Sequence, residues 1–348
     1  MLEVYFQKAK LNEIIEQLIR LLRVYAPVLK GAYHEFAQIK TASDADLGFH
    51  NTRLSPKGLF HPHLERMFEF SLAKGDPQAS ILREVPKDYS PSVILGIRPC
   101  DARAFQVDDV NFDTSVVKDP WWVERRKSMT LVGLACNEPC STCFCTTVGT
   151  GPFDTNGLDA VLVDVGDGYV VRAVTERGEE LVLKLGLKDL VPDEAAKKAE
   201  EQKVSAEQSL GRLFDTEAIA KRDSAELFNA GFWEEVQFAC INCGTCTFLC
   251  PTCWCFDIQD EVSGEQGERV RLWDSCMFPL FTLHGSGHNP RSQKLQRVRQ
   301  RFMHKLKYYQ DKYHQGVACV GCGRCVTQCP VNIDIRSVAQ LMSASCIC

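Results

Sequence analysis

The sequence predicts an α/β amino-terminal domain followed by a smaller domain built on two copies of one cysteine motif. Up to about residue 190, runs of β-branched residues alternate with amphipathic stretches, which is typical of a mixed sheet covered by helices. Beyond that, the pattern C-x2-C-x2-C-x3-C-P occurs twice, separated by a long insert. We therefore predict an α+β or α/β domain at 1–190, a helical linker at 191–235 and the motif-bearing domain at 236–348.

The first domain is expected to contain an initial helix, two buried strands and a hairpin. Apolar residues at helical spacing in 1–22 predict an amphipathic helix. Its apolar face comprises Leu11, Ile14, Ile15, Leu18, Leu21 and Leu22. The apolar runs at 93–97 and 130–134 predict strands, each followed by a loop. Two β-branched runs around residues 166–168 predict the hairpin.

The linker and the insert are expected to be mainly helical. Residues 192–209 are charged and rich in alanine, which predicts an exposed helix, and another helix is predicted near 216–238. Within the insert at 256–316, Asn289 followed by Pro290 predicts a helix start. The basic residues that follow are Arg291, Lys294, Arg297, Arg299, Arg301, Lys305 and Lys307. We expect them to form a solvated face, with docking to an acidic partner as the alternative.

The repeated motif has the spacing with which bacterial ferredoxins hold [4Fe–4S] clusters. Gly244 and Gly323 suit the tight torsions of the C-x2-C-x2-C loops. Because the fourth cysteine of each motif ligates the other cluster in two-cluster ferredoxins, two crossed sets are predicted. The first set is Cys240, Cys243, Cys246 and Cys329. The second set is Cys319, Cys322, Cys325 and Cys250.

Structural zinc is the alternative reading of these cysteines, since C-x2-C pairs also bind zinc. Zinc sites, however, do not need four cysteines in one run followed by proline, and here that run occurs twice. The motifs therefore favour iron–sulfur clusters.

Surplus cysteines in the first domain predict a third cluster. Cys100 and Cys136 each follow a predicted strand, so both emerge at one sheet edge if the strands are parallel neighbours. The next loop returns Cys143 and Cys145 toward that edge, which gives four ligands. The alternative is that these thiols are small buried hydrophobes. Loop positions beside prolines and glycines are poor core positions, which favours the cluster.

A rival ligand set for a third cluster lies beyond the first motif. The segment TCWC at 252–255 echoes TCFC at 142–145. Cys253, Cys255 and Cys276 form this set, but the sequence offers no fourth thiol for it. Cys140, Cys346 and Cys348 receive no assignment.

Composition argues against several classes of protein. The net charge of −5 gives no reason to expect binding to nucleic acid or to an anionic membrane. No apolar run approaches the ~18 residues of a membrane span. Eighteen cysteines in 348 residues are too few for a disulfide scaffold, and the first residues lack the pattern of a secretory signal. We therefore expect a cytoplasmic protein whose clustered thiols bind metal.

The segments around the cysteines carry a family resemblance. They are GIRPCDARAF (96–105), CNEPCSTCFCTTVGTGP (136–152), CINCGTCTFLCPTCWCFDIQDE (240–261), WDSCMFPLFTLHGSGHNPR (273–291) and RQRFMHKLKYY (299–309). These segments resemble the iron–sulfur subunits of anaerobic sulfite reductase (A subunit) and archaeal sulfhydrogenase (beta subunit). They also resemble related subunits of heterodisulfide reductase-type complexes. The resemblance implies a subunit that carries electrons between a flavin- and NAD(P)-binding partner and a catalytic subunit.

The cluster motifs themselves indicate one-electron transfer. The chain has no G-x-G-x-x-G after a strand and no G-x4-G-K-[ST], so nucleotide chemistry is expected on another polypeptide. We predict an electron-transfer subunit without catalytic residues of its own. One alternative is a subunit that itself reduces a disulfide or sulfur compound at a cluster or CxC pair. The other is a metal scaffold without redox function.

Overall fold

The computed structural model describes residues 2–344, so Cys346 and Cys348 lie outside the described residues. Its larger sheet has seven strands in the order β1-β9-β8-β7-β6-β2-β3. These strands are β1 (Glu3–Gln7), β2 (Arg23–Lys30), β3 (Tyr33–Gln38), β6 (Ser92–Ile97), β7 (Met129–Leu134), β8 (Ala160–Asp164) and β9 (Gly168–Ala173). The smaller sheet has the order β10-β11-β4-β5. It comprises β4 (Leu64–Ser71), β5 (Arg83–Glu84), β10 (Phe256–Ser263) and β11 (Gln266–Trp273).

The centre of the larger sheet is parallel and fully buried. Strands β2, β6, β7 and β8 run parallel, and every residue of β6 and β7 is buried. Such strands are covered by helices on both faces, which explains their continuous apolar sequence. The strands that precede Cys100 and Cys136 are parallel neighbours, so the condition set for the third cluster is met. Their carboxyl ends therefore open at one edge of the sheet.

The start of the chain differs from the prediction. The first residues form the edge strand β1, which pairs antiparallel with β9 and buries Val4 and Phe6. The helix α1 is confined to Leu11–Leu21, where Ile14, Ile15 and Leu18 are buried and Leu21 is 52% exposed. The period-2 pattern of Val4 and Phe6 is too short to outweigh the helical pattern that follows it.

Four further helices lie between and after the strands of the larger sheet. They are α2 (Pro99–Phe112), α3 (Pro120–Ser128), α4 (Glu176–Lys184) and α5 (Asp193–Leu210). The predicted hairpin is confirmed, since β8 and β9 pair antiparallel. The predicted charged helix exists as α5, but it buries Ala195, Ala199 and Ala206 and is therefore not exposed all round.

The single helix predicted near 216–238 is wrong. The segment instead forms α6 (Thr216–Lys221), α7 (Ser224–Phe228) and α8 (Trp233–Phe238). Asp215 accepts hydrogen bonds from the first amides of α6, and Asp223 does the same for α7. Each aspartate stabilises a new helix start, so the chain turns at both positions.

The insert at 256–316 is not helical throughout. Its first part forms the hairpin β10–β11, and β11 pairs antiparallel with β4 from the first part of the chain. A buried ion pair supports this junction, with Arg271 Nη2 2.5 Å from Glu65 Oε2. The smaller sheet joins residues on both sides of the predicted linker, so the two predicted domains share one sheet. The domain boundary at 191–235 therefore stays a prediction.

The second part of the insert is a long helix that begins later than predicted. It comprises α10 (Lys294–Met303), a π-helical turn (His304–Tyr308) and α11 (Tyr309–Tyr313). Gln293 is its N-cap, whereas Asn289 accepts a hydrogen bond from the amide of Arg291 in a preceding turn. The predicted solvated face is also wrong, because four of its basic residues are buried. They are Arg297, Arg301, Lys305 and Lys307.

The two cysteine motifs have matching backbones. Gly244 and Gly323 both adopt left-handed torsions, with φ of 75° and 73°, as their predicted role requires. Each glycine precedes a single helical turn, α9 (Thr245–Phe248) or α12 (Arg324–Thr327). The last helix, α13 (Ile335–Ser343), packs with α6, α8 and α10 in one apolar core.

Candidate metal centres

The first predicted ligand set lines one cavity. Cys240, Cys243 and Cys246 share its wall with Cys329 from the second motif. The rest of the wall is mainly apolar and includes Met277, Val298 and Phe302. Crossed ligation requires this arrangement, since the fourth thiol must come from the other motif. Among the described cysteines, Cys243 alone is classed as exposed.

The second predicted ligand set lies in the interior. Burial raises the pKa of Cys319 to about 12, and the adjacent Cys250 thiol adds to this shift. Burial also raises the pKa of Cys322 and of Cys325, and Cys250 again contributes to both. Cys250 therefore interacts electrostatically with all three thiols of the second motif, which is compatible with crossed ligation.

The surplus cysteines of the first domain share a third cavity. Cys100 lies in the first turn of α2, directly after β6, and Cys136 follows β7. Cys143 and Cys145 line the same cavity, as does Cys140, which received no assignment from the sequence. With Cys322 of the second motif, six cysteines line the cavity, two more than a four-iron cube uses.

Arg98 supplies positive charge to this third cavity. Its side chain is 7% exposed, and its Nη1 donates to the carbonyl of Ala135 at 2.8 Å. Burial raises the pKa of the Cys136 thiol, and the charge of Arg98 opposes that shift. A cation here favours the thiolate form that binds metal.

The third cavity adjoins the second ligand set directly. The amide of Phe144 donates to the carbonyl of Gly321 at 2.8 Å, and Cys322 lines the cavity wall. Gly321 has φ of 66°, and a Cβ there would lie 2.5 Å from Cys145 Cα. Only glycine allows this approach of the two loops.

A buried ion pair fixes the same junction, and sequence reasoning missed it. Arg324 Nη1 and Nη2 donate to the two carboxylate oxygens of Asp101 at 2.6 and 2.7 Å. The guanidinium also donates to the carbonyl of Thr52 at 2.8 Å and to Asn51 Oδ1 at 2.6 Å. The one sign of this ion pair in the sequence is that each partner adjoins a candidate ligand, since Asp101 follows Cys100 and Arg324 precedes Cys325.

The rival cysteines gather beside Cys250 and three buried cations. A hydrogen bond with Cys276 lowers the pKa of Cys255 to about 7, and a hydrogen bond with Cys250 raises that of Cys253. The cations are Lys57, Arg301 and Lys305, each 2–3% exposed. Their burial was not predictable from sequence, because long basic side chains on a helix are usually solvated.

The arrangement of side chains in residues 2–344 limits what these centres can be. No three His, Cys, Asp or Glu side chains there converge closely enough to hold a single metal ion. A cube with one thiolate per iron instead needs thiols spread around a cavity, which is how the first and third groups are arranged. No described helix is long and apolar enough to cross a membrane.

Comparison with known proteins places the chain in a family. The model of the 4Fe-4S dicluster domain matches residues 239–333. Over 325 residues the chain is 31% identical to the sulfhydrogenase 2 subunit beta of Pyrococcus furiosus, covering 92% of each chain. No solved structure matches the chain significantly. The chain therefore belongs to the family of [4Fe–4S] electron-transfer subunits of oxidoreductases that includes this sulfhydrogenase beta subunit.

Proposed function

We propose that the chain passes single electrons between a flavin- and NAD(P)-binding partner and a catalytic redox subunit in the cytoplasm. The catalytic subunit would be of the sulfite reductase, hydrogenase or heterodisulfide reductase type. The observation that carries this proposal is the serial arrangement of the thiols. The third cavity adjoins the second ligand set, and both cysteine motifs contribute to the first.

Three clusters would occupy these sites. The ferredoxin-type pair would be held by the two crossed sets, and the third by Cys100, Cys136, Cys143 and Cys145. A bound [4Fe–4S] cluster supplies reversible one-electron chemistry. The chain itself supplies thiolates, excludes water by burial and sets local charge through Arg98 and Arg324. Buried cations beside anionic thiolates favour the reduced form of a bound cluster, because that form carries the more negative charge.

The two ends of this series differ in their surroundings, which suggests where the partners dock. At the first cavity, Cys243 is exposed and its neighbour Ile241 is 61% exposed. At the third cavity, an open polar cleft is lined by Arg53, Cys140 and Gln328, among others. We assign the flavin partner to the cleft and the catalytic subunit to the Cys243 end.

Reconstitution tests this function. The purified, flavin-free chain should not oxidise NAD(P)H or reduce sulfite, because no nucleotide fingerprint occurs in it. Addition of the co-purifying flavoprotein should allow NAD(P)H to bleach the cluster absorbance. Robust NAD(P)H turnover by the chain alone would overturn the proposal.

Iron analysis tests the third cluster separately. A Cys143→Ser/Cys145→Ser double variant should lose about four irons per chain relative to the wild type. The spectroscopic signals of the two ferredoxin-type clusters should persist in that variant, since the ligands of those clusters are other cysteines. Full iron content in the double variant would remove the site from the first domain.

A further inference from the structure

Two of the cysteines left over after these assignments, Cys255 and Cys276, are brought together by the hairpin β10–β11. Phe256 pairs with Trp273 at its open end, so the chain enters and leaves the hairpin at one place. Cys255 directly precedes this pair, and the amide of Asp274 donates to the carbonyl of Cys255 at 3.0 Å. Cys276 follows two residues later, and its thiol meets that of Cys255.

Lys57 and Lys305 donate to the backbone of the segment that carries the third thiol, Cys253. Lys57 Nζ donates to the carbonyls of Cys250 and Cys253 at 2.9 and 2.8 Å. Lys305 Nζ donates to the carbonyl of Thr252 and, at 2.8 Å, to its hydroxyl. Lys57 and Lys305 are each 3% exposed. Water and dissolved ions therefore do not reach their ammonium groups to solvate them or balance their charge.

Arg301 is the third cation, and its hydrogen-bonding groups are only partly used. One Nη donates to the carbonyl of Cys246 at 2.9 Å, whereas Nε and the other Nη have no partner within residues 2–344. The residue is 2% exposed. Its charge interacts with Cys246, Cys253, Cys250 and Cys325, so it faces both motifs and the left-over thiols.

Acidic side chains do not balance these cations. Among the described residues, none of Lys57, Arg301 and Lys305 forms an ion pair with a carboxylate. The buried carboxyl group that interacts with both lysines is Asp108, and burial raises its pKa well above the usual range. A buried cation without a counter-charge is strongly unfavourable. The balancing anions must therefore come from the thiols or from a group they hold.

We propose that Cys253, Cys255 and Cys276 hold a further iron–sulfur cluster, distinct from the three sites described above. Three thiolates match the three irons of a [3Fe–4S] cluster, or leave one iron of a cube with a ligand other than cysteine. The anionic cluster supplies the counter-charge for Lys57 and Lys305. Arg301 lines the first cavity, so its unpartnered N–H groups are available to the cluster proposed there. The site adjoins Cys250 and thereby the second ligand set, and it is independent of the third cavity.

Ligand removal is the first test. Anaerobically purified Cys276→Ser and Cys253→Ser/Cys255→Ser variants should each lose about three or four irons per chain and one component of the EPR spectrum. A three-iron cluster is paramagnetic when oxidised, whereas an oxidised cube is silent, so EPR of the oxidised protein identifies the cluster type. The loss should add to that of the Cys143→Ser/Cys145→Ser variant, which separates this site from the third cavity.

Two measurements on folded protein keep the proposal open to refutation if the cysteine variants misfold. Native mass spectrometry of the wild type should give the mass of four clusters. Lys57→Met should retain the iron but shift the midpoint potential of one cluster to a more negative value, because a buried cation is lost. Lys127→Met, which removes an exposed lysine, should shift none.

Three results would overturn the proposal. The double variant could keep the full iron content, or elemental analysis could find zinc rather than iron bound to these thiols. Thiol titration of the wild type could also show a disulfide between Cys255 and Cys276, with no iron beyond the other three sites.

Discussion

Replacing Asp101 with asparagine should loosen the junction between the first domain and the second motif. Asp101 is fully buried and accepts both hydrogen bonds of a bidentate pair with Arg324. Asparagine keeps the shape of the side chain but removes the negative charge. The guanidinium would then stay buried without its carboxylate partner, and breaking a buried pair from one side costs about 3–5 kcal/mol.

The other contacts of Arg324 place the expected cost at the lower end of that range. Its Nε donates to Thr52 O at 2.8 Å, and its Nη2 donates to Asn51 Oδ1 and Thr52 Oγ1 at 2.6 and 3.0 Å. These neutral acceptors remain in the variant, so the hydrogen bonds are largely kept while the charge pair is lost. We expect the free energy of local opening to fall by about 3 kcal/mol, which corresponds to roughly a 100-fold rise in the locally open population.

Native-state hydrogen exchange is the suitable assay, because bound clusters make global unfolding poorly reversible. Peptides covering Pro99–Phe112 and Arg324–Thr327 should exchange about 100-fold faster in Asp101→Asn than in the wild type. Glu124→Gln, which breaks an exposed pair with Lys127, should change exchange by a factor of about five or less. An Asp101→Leu/Arg324→Met variant should recover most of the protection, since no charge is left unpaired. Unchanged exchange in Asp101→Asn would refute the reasoning.

Three further predictions concern the ligands, the loop contact and pH. Cys329→Ser should alter the spectrum of the cluster assigned to Cys240, Cys243 and Cys246, because Cys329 shares their cavity; a change confined to the second set would contradict crossed ligation. Gly321→Ala should lower the temperature of cluster bleaching more than Gly316→Ala. Both glycines have positive φ, but only at Gly321 would a Cβ meet another loop, so equal losses would contradict this account. Burial lowers the pKa of His61 to about 3, so below about pH 6.5 the unfolded chain binds a proton that the folded chain does not. His61 should therefore lower stability by up to about 1.4 kcal/mol per pH unit between pH 6.5 and 5, in addition to His304, whose pKa burial lowers to about 4; His61→Phe should remove the share of His61 from that slope. An unchanged slope in the variant, with the free energy of opening measured by native-state hydrogen exchange, would count against it.

The elements predicted correctly were those whose information is local. The hairpin β8–β9, the strands β6 and β7 and the left-handed glycines of both motifs all follow from a few adjacent residues. The family followed from the same segments, and it is confirmed by a relative that matches 92% of the chain. The errors also have local causes, because the caps at Asp215 and Asp223 divide a segment whose apolar spacing suggested one helix.

The spacing within each C-x2-C-x2-C loop determined two cluster motifs from sequence alone, because the loop closes over a few residues and its geometry is local. Only the tertiary structure decided which distant groups meet these loops. It pairs β11 with β4, brings Cys140 into the third cavity and places Cys276 against Cys255. It also buries Lys57, Arg301 and Lys305 beside the thiols. A basic side chain normally remains in water, and it is buried only where a distant part of the chain supplies the compensating groups, which spacing along the sequence does not record.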